Sequence, residues 1–223
     1  MPQISPRTIV LCSGGLDSTT CLALAQQRGD EVFALSFDYG QRHAVELEAA
    51  RTICEHFNVS THTIIPIHLP DTSTSALTAS TLPIPTYDPQ STAIPITYVP
   101  GRNTLFLAYA LGFAEAIDAH SIMIGCSHVD YSGYPDCRPE YLQAFQQLAN
   151  LAVPTGVQGQ PIQIEAPLMH LSKAETIALG HRLGIDYSMT ISCYRATPTT
   201  PACGTCDSCQ LRLKGFEDFR AAQ

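Results

Sequence analysis

Two short stretches of the sequence combine residue types and spacings that can do chemistry. Residues 13–18 read SGGLDS directly after an apolar run, and four cysteines crowd near the C-terminus. Glycine lets a ligand approach the backbone closely, and the free N–H groups at the start of a helix bind anions. The first stretch therefore predicts a phosphate-binding loop, and the second predicts a metal site.

Asp17 is the unusual member of this phosphate loop (residues 13–18), because a carboxylate repels phosphate. Its presence makes sense if it handles Mg²⁺, directly or through water. The hydroxyls of Ser13, Ser18 and Thr19 would add donors to phosphate oxygens. The alternative is an ordinary strand–turn–helix whose helix is capped by Ser13. We expect the nucleotide-binding stretch to comprise Cys12, Ser13, Gly14, Gly15, Leu16, Asp17, Ser18, Thr19, Thr20, Cys21 and Leu22.

The cysteine cluster has the spacing Cys193-x9-Cys203-x2-Cys206-x2-Cys209. Two overlapping Cys-x2-Cys steps and one remote thiol can supply the tetrahedral four-thiolate site that Zn²⁺ prefers. Four protein ligands leave no open position, so such a zinc would be structural. An iron–sulfur cluster and a redox dithiol are the alternatives. The other five cysteines are scattered, and we expect them to be small buried side chains.

The hydrophobic pattern predicts the elements that must position these groups. Apolar runs predict strands at 8–12, 31–38, 61–67, 121–126 and 162–166, and helical spacing predicts helices near Leu16 and at 43–57, 106–117, 142–152, 172–184 and 208–219. Strands that alternate with helices indicate an α/β fold, with a doubly wound, mainly parallel sheet covered by helices on both faces. Ligands bind such sheets at the carboxyl ends of the strands, where the phosphate loop lies. We expect a nucleotide domain at 1–190 and a C-terminal zinc-binding segment with a helix at 191–223.

The Pro-rich segment (residues 66–101) interrupts this alternation. It holds seven prolines and many Ser and Thr residues, so it is not a core helix. A loop of that length in a compact domain is usually functional or disordered. We expect an active-site flap, with a mobile surface excursion as the alternative.

Further polar residues follow predicted strands or precede predicted helices. They are Arg42, His43, Arg102, Asn103, Asp130, Tyr131, Tyr134, Asp136, Arg138 and Lys173. Arginine can grip phosphate or carboxylate with two parallel hydrogen bonds. Lys173 falls in the first turn of a predicted helix, where a cation opposes the helix dipole, which indicates an anionic partner. Helix starts, loop-end salt bridges, a rigid turn before Pro139 and a solvated lysine are the structural alternatives.

The phosphate loop resembles that of the N-type ATP pyrophosphatases, which cleave ATP between the α and β phosphates and adenylate a carbonyl or carboxylate oxygen. Four more stretches distinguish among the families of that group: DYGQRH (38–43), VPGRN (99–103), DYSGYPDCRPE (130–140) and SCY…CGTCDSCQLR (192–212). Together they resemble the 7-cyano-7-deazaguanine synthase family, the nitrile-forming enzymes of the queuosine pathway. The resemblance covers nearly the whole chain, and it implies an adenine nucleotide alpha hydrolase-like fold.

The resemblance also implies an activity, that of a ligase that forms a C–N bond. ATP would drive 7-carboxy-7-deazaguanine and ammonia to 7-cyano-7-deazaguanine through adenylation of the carboxylate, an amide, and a second adenylation that lets the nitrile form. The nucleotide domain accounts for the one domain that a chain of this length allows. No glutaminase domain is therefore expected, and free ammonia is the expected nitrogen donor. The implied cofactors are one structural Zn²⁺ and ATP with Mg²⁺.

The resemblance assigns roles to the residues named above. Asp17, Lys173 and Arg102 would act in catalysis by neutralising charge. The deazaguanine carboxylate and ring would contact Arg42, His43, Arg102, Asn103, Asp130, Tyr131, Tyr134, Asp136 and Arg138. The tyrosines would stack on the ring, the aspartates would accept its N–H groups, and Arg138 would face its carboxylate.

Composition limits the partners. The chain has 12 Lys+Arg against 20 Asp+Glu and a net charge of −8, which disfavours a surface that binds nucleic acid directly. No window of ~18 apolar residues predicts a membrane span, and no secretory signal precedes residue 8, so we expect a cytoplasmic protein, with a homodimer left open. A tRNA sulfurtransferase and a non-catalytic zinc-ribbon adaptor are the functional alternatives. The former needs a basic surface and free reactive cysteines, and the latter has no use for the phosphate loop.

Overall fold

A five-stranded parallel sheet lies at the centre of the computed structural model, which describes residues 5–69, 74–127 and 133–223. Its strands are β1 (Arg7–Leu11), β2 (Glu31–Asp38), β3 (Thr61–Pro66), β4 (Ser121–Met123) and β5 (Gln163–Glu165). Their order across the sheet is β3-β2-β1-β4-β5, and each neighbouring pair is parallel. The predicted fold class is confirmed, with β4 shorter than the predicted 121–126. The chain reverses its direction across the sheet at β1, which opens a crevice between the carboxyl ends of β1 and β4.

Seven helices accompany the sheet in the described residues. They are α1 (Leu16–Gln27), α2 (Val45–His56), α3 (Arg102–Ala116), α4 (Pro139–Ala152), α5 (Pro154–Val157), α6 (Lys173–Arg182) and α7 (Asp207–Ala221). Two 3₁₀ turns, Pro135–Cys137 and Tyr187–Met189, complete the set. The predicted capping box at the start of α6 is confirmed, since the Glu175 N–H donates to Ser172 Oγ at 3.2 Å and the Ser172 N–H donates to Glu175 Oε2 at 2.7 Å.

The alternation of side chains along β1 sends successive residues into two separate cores. Ile9 and Leu11 pack on one face of the sheet, in a core that α3 and α4 cover with side chains such as Leu107 and Phe145. Val10 and Cys12 point to the other face, which is covered mainly by α1 and α2. A sheet buried on both faces explains why β1 and β2 read as continuous apolar runs.

Apart from Pro66, which ends β3, the described residues of the Pro-rich segment (66–69 and 74–101) form neither helix nor strand, and the absence of a core helix there is as the prolines predict. The segment is nevertheless anchored at several points. The Tyr87 N–H donates to Thr205 O at 2.9 Å, and Arg195 donates through Nη2 to Ile84 O, so the segment contacts the cysteine-rich C-terminal region. Whether the segment opens and closes as a flap stays a prediction.

The C-terminal segment (191–223) packs directly against the phosphate loop and α6. The Ile191 N–H donates to Gly14 O at 2.9 Å, and Arg212 of α7 donates to Tyr187 O at 2.7 Å. These contacts join the two parts closely. The division of the chain at residue 190 into two folding units stays a prediction. Within the residues described, no helix is long and apolar enough to cross a membrane.

Candidate active site

A cavity of about 240 Å³ opens at the carboxyl ends of β1, β2 and β4. Its walls combine the phosphate loop, the ends of these strands, the start of α3 and the residues before the cysteine cluster. The residues that line it include Cys12, Ser13, Gly15, Leu16, Asp17, Ser18, Tyr39, His43, Glu46, Leu77, Arg102, Asn103, Cys126, Tyr134, Ile191 and Tyr194. The crevice predicted from strand order and the site predicted from motifs are therefore the same place.

The phosphate loop is closed by its own serines. The Ser13 and Ser18 hydroxyl oxygens lie 3.1 Å apart, and the Ser13 N–H donates to Ser18 Oγ at 3.2 Å. Helix α1 begins after Gly15, where no side chain caps it, so Ser13 is not the cap that the simpler interpretation requires. A phosphate can occupy the place of the missing cap and meet the helix dipole there.

Gly14 must be glycine at this turn. Its φ is +79°, and a Cβ would lie 2.3 Å from Glu46 O and 2.8 Å from Ala50 N. Both contacts are to backbone atoms of α2, which cannot shift without disturbing the helix. The glycine thus lets the loop lie directly against α2.

The predicted nucleotide-binding stretch divides into two parts. Its first half lines the cavity, Gly14 excepted, whereas Thr19, Thr20, Cys21 and Leu22 are buried in the body of α1 and are absent from the lining. The Thr19 hydroxyl donates back to Gly15 O at 2.8 Å, so it is used within the helix rather than offered to a phosphate. Nucleotide contacts of these four residues stay a prediction, whereas the residues before them lie at the cavity.

Lys173 and Asp17 form an ion pair beside the loop. The ammonium donates to the two carboxylate oxygens at 2.9 and 2.7 Å, and the side chains are only 12% and 23% exposed. The cation that the sequence places awkwardly at the start of α6 therefore lies against a carboxylate at the start of α1. Charge that would repel phosphate is neutralised by this pairing.

Gly215 in the middle of α7 makes room for the Lys173 side chain. A Cβ on Gly215 would lie 2.5 Å from Lys173 Cγ and 2.9 Å from Lys173 Cβ. Glycine inside a helix is unfavourable relative to alanine, and here the close contact with α6 gives the reason for it. Helix α7 begins at the cysteine cluster and contacts Lys173 at Gly215, so one helix links the cluster to the lysine.

Arg102 reaches the cavity from the start of α3. Its Nη1 donates to the Tyr39 hydroxyl at 3.1 Å, and its guanidinium carbon lies 5.5 Å from the Tyr39 ring centre and 5.9 Å from that of Phe106. Burial raises the pKa of Tyr39 to about 12, so this partner stays neutral. Arg102 Nε is buried and has no hydrogen-bond partner in the part of the chain that is described. A positive group held this way is suited to an anionic ligand.

Asp136 and Arg138 lie away from the main cavity, and their predicted contacts with substrate stay predictions. Asp136 Oδ2 accepts the Asn103 N–H at 3.0 Å, and the Asn103 side-chain amide donates to Asp136 O at 3.0 Å, so both residues secure the start of α3. Arg138 Nε donates to Pro135 O at 3.2 Å. Asp136 and Arg138 line a second, separate cavity beside Tyr141 rather than the first one. These contacts are the ones that a rigid turn before Pro139 would make.

Tyr134 does line the main cavity, where its hydroxyl lies 2.9 Å from Thr97 Oγ1 and 3.2 Å from the Tyr194 hydroxyl. This network joins the Pro-rich segment, the turn before α4 and the residue that follows Cys193. Two other predicted contacts, Asp130 and Tyr131, lie outside the described residues. The tyrosine pair offers aromatic surface on one side of the cavity.

The Arg42 guanidinium contacts the Pro-rich segment and is not part of the cavity lining, so its predicted contact with substrate stays a prediction. Its Nη1 donates to Leu82 O at 2.8 Å and to Ala76 O at 3.2 Å. The neighbouring His43 is only 4% exposed and does line the cavity, with its Nε2 at 3.2 Å from Glu46 Oε2.

Several wall residues were not expected from the sequence. Tyr39 lies within the DYGQRH stretch, Glu46 follows that stretch by three residues, and Cys126, Ile191 and Tyr194 come from other loops. A signal for Glu46 was present, since it follows His43 by three residues, a spacing at which side chains meet across one turn. The others depend on tertiary proximity that no local pattern reveals.

The cysteine cluster has the geometry of a four-thiolate metal site. The sulfur atoms of Cys193, Cys203, Cys206 and Cys209 all lie within 4.8 Å of one another. Zinc–sulfur bonds of about 2.3 Å in a tetrahedron require sulfurs about 3.8 Å apart, and Cys203 Sγ and Cys209 Sγ are separated by 4.0 Å. The N–H groups of Arg195 and Cys203 both donate to Cys193 Sγ at 3.2 Å, which stabilises a thiolate. The residues present therefore fit a tetrahedral metal ion with no open position.

The comparisons with known proteins agree with this geometry. The family model described as Queuosine biosynthesis protein QueC matches residues 7–220. Proteins named 7-cyano-7-deazaguanine synthase from Coxiella burnetii (strain RSA 331 / Henzerling II) and Saccharophagus degradans are 59% and 55% identical, over 95% of this chain and 93% of each relative. The structure of NMN synthetase from Francisella tularensis, at 19% identity and a TM-score of 0.51 over 99% of this chain and 79% of that one, shows a similar fold. The chain therefore belongs to the QueC family of queuosine biosynthesis proteins.

Proposed function

We propose that the protein is an ATP-dependent ligase that converts 7-carboxy-7-deazaguanine and ammonia to 7-cyano-7-deazaguanine. The observation that carries the proposal is a single cavity lined by the phosphate loop with Asp17, which is paired to Lys173, and by the cation Arg102. An adenylating enzyme needs a phosphate cradle and a cation for the attacking carboxylate in one place. Relatives that carry the synthase name at 53–59% identity support this choice of reaction.

In the first half-reaction the substrate carboxylate attacks the α-phosphate, and pyrophosphate leaves. The phosphate loop and the start of α1 would bind the departing phosphates, and Lys173 would neutralise the charge that develops on them. Mg²⁺ bound by Asp17 would supply further charge neutralisation. The oxygen atoms of Asp17 and of the Ser13 and Ser18 hydroxyls are the type of ligand that this ion prefers.

Arg102 would hold the carboxylate of the deazaguanine. Its buried Nε has no partner among the described residues, whereas its Nη1 is fixed by Tyr39. Tyr134 and Tyr194 would offer a stacking surface for the flat ring. Asn103 lines the same wall, but its amide is already engaged with Asp136, so it would position α3 rather than bind substrate.

The cysteine cluster would hold one structural zinc ion. Its role would be to fix the start of α7, and through Gly215 the position of Lys173. Small molecules would be the only substrates, in keeping with the acidic composition, and a cytoplasmic location and a homodimer belong to this proposal as well.

The assay that tests the proposal measures AMP release by thin-layer chromatography with ATP, ammonium and one candidate acceptor at a time. We expect AMP with 7-carboxy-7-deazaguanine and with the corresponding amide, and none above background with guanine or with unmodified tRNA. AMP release that depends on tRNA and a sulfur donor would instead favour a sulfurtransferase. Absence of AMP release with all acceptors would favour a non-catalytic protein.

A further inference from the structure

A chain of three side chains leads from the backbone of β2 to the wall of the cavity. The Gln41 side chain is held at both ends, since its Oε1 accepts the Tyr39 N–H at 2.9 Å and its Nε2 donates to Phe37 O at 3.0 Å. Gln41 Nε2 also donates to Glu46 Oε1 at 3.1 Å, and the other carboxylate oxygen lies 3.2 Å from His43 Nε2. Gln41 and His43 are each only 4% exposed. The orientation of the imidazole is therefore fixed through Glu46.

The second ring nitrogen of His43 is the unexplained atom of this arrangement. His43 Nδ1 is buried and has no hydrogen-bond partner in the described parts of the chain, although His43 lines the cavity. A carboxylate at Nε2 favours the tautomer that carries its proton there, which leaves Nδ1 with a lone pair. Buried polar atoms are nearly always paired, so an unpaired one in a cavity wall indicates a ligand.

We propose that His43 is the general base of the reaction and accepts, at Nδ1, the protons that the incoming nitrogen must lose. This inference rests on the proposed function. A base held by a carboxylate, which is held in turn by a third group, is the arrangement that general acid–base catalysis uses repeatedly. The phosphate loop and Arg102 provide hydrogen bonds and positive charge, and the Asp17 carboxylate already accepts from Lys173 through both oxygens.

Proton balance requires such a base at two stages. When ammonia attacks the acyl adenylate, a C–N bond forms and the bond from the acyl carbon to the AMP oxygen breaks. AMP leaves with the electron pair, and one proton passes from nitrogen to His43 Nδ1. The amide nitrogen then loses its two protons one at a time to His43 Nδ1, which passes each to solvent. The first leaves as the amide oxygen attacks the second ATP and pyrophosphate departs, and the second leaves as the C–N triple bond forms and the bond from carbon to the AMP oxygen breaks.

Glu46 and Gln41 are positioning residues in this scheme. Glu46 lies in the first turn of α2, where a carboxylate is favoured by the helix dipole. Replacing Glu46 by Gln would present an amide that can donate to Nε2. His43 would then carry its proton on Nδ1, and the base would be lost with little change in shape.

The test separates adenylation from nitrogen transfer. Pyrophosphate–ATP exchange measured with 7-carboxy-7-deazaguanine and no ammonia reports adenylation alone, and single-turnover formation of the amide reports nitrogen transfer. For His43→Gln we expect exchange within about threefold of the wild type and amide formation slower by ~100-fold or more, the range that general-base catalysis covers. Hydroxylamine in place of ammonia should shrink the defect, because its nitrogen gives up a proton more readily after attack.

Glu46→Gln should show the same split between the two assays, which a purely structural role would not produce. Glu48→Gln is the matched control, because Glu48 lies on the same helix with its side chain 73% exposed and paired to Arg51. Amide formation at the wild-type rate in His43→Gln would overturn the inference, and so would an equal loss of exchange and amide formation. If the wild type itself shows no exchange, the proposed function fails instead.

Discussion

Lys173 and Asp17 are separated by 156 positions in the sequence, yet the lysine ammonium donates to both oxygens of the aspartate at 2.7 and 2.9 Å. The pair joins the starts of α1 and α6 at the edge of the phosphate loop. A carboxylate in an anion site is unfavourable unless a cation accompanies it, and Lys173 is that cation in the structure. When nucleotide and Mg²⁺ bind, we expect the ammonium to turn toward phosphate and the carboxylate toward the metal.

Asp17→Asn should fold normally and lose turnover by ~100-fold or more, because metal-assisted charge stabilisation contributes several kcal/mol. Ser18→Ala is the comparison variant and should cost less, since one neutral hydrogen bond contributes about 0.5–1.5 kcal/mol net. Steady-state pyrophosphate release across a Mg²⁺ titration measures both effects. Wild-type turnover with an unchanged Mg²⁺ dependence in Asp17→Asn would make Asp17 merely a residue at a helix start.

Gly215→Ala should reduce turnover by roughly tenfold or more without loosening the fold. The new methyl group would displace the Lys173 stem, while alanine is intrinsically the better helix residue by about 0.5–1 kcal/mol. Gly112→Ala in α3 is the matched control, because a Cβ there meets no atom within 4 Å. The control should keep full activity. Equal activities in thermally intact versions of the two variants would show that Gly215 does not position Lys173.

One zinc per chain is expected from elemental analysis of the purified protein, and Cys206→Ser should lose it together with much of its solubility. The reason is that three thiolates and a serine bind zinc weakly, and α7 then loses its fixed start. Cys21→Ala, which changes a buried cysteine of α1 outside the cluster, should retain the metal. A metal-free, well-folded Cys206→Ser protein that runs the ATP reaction at full strength would contradict a structural zinc.

Arg102→Lys should raise the KM for 7-carboxy-7-deazaguanine by at least tenfold and change the KM for ATP little. Lysine keeps the charge but lacks the planar fork that holds Tyr39 with one nitrogen and leaves another for the substrate. Initial rates with each substrate varied in turn give the two constants. An equal rise in the two KM values would indicate that Arg102 contacts the nucleotide rather than the substrate carboxylate.

Local patterns predicted the fold well because each element is determined by its own residues. β2 is one buried run from Glu31 to Asp38 and was predicted with the observed bounds, and α6 was marked by its capping box. The contacts of Asp136 could not be predicted in this way. A carboxylate in a polar turn can serve a ligand or the start of a distant helix, and only the folded chain shows that it accepts the Asn103 N–H.

The same limit applies to the ion pair and to Arg42. The position of Lys173 indicated an anionic partner, but no local signal pointed to Asp17 or to the space that Gly215 leaves for the lysine stem. Arg42 lies beside His43 in the sequence, but its side chain contacts the Pro-rich segment, whereas His43 lines the cavity. Adjacent residues on a turn diverge in direction, so a motif identifies a region more reliably than each of its members.

The most direct test of the central claim follows a ¹⁵N label from ammonium into the deazaguanine product. The protein is incubated with 7-carboxy-7-deazaguanine, ATP, Mg²⁺ and ¹⁵N-ammonium, and the deazaguanine products and AMP are quantified by mass spectrometry. The account predicts a nitrile that carries one ¹⁵N atom, an amide that rises and falls before it, and two AMP for each nitrile. Consumption of ATP with no ¹⁵N in any deazaguanine product would contradict it.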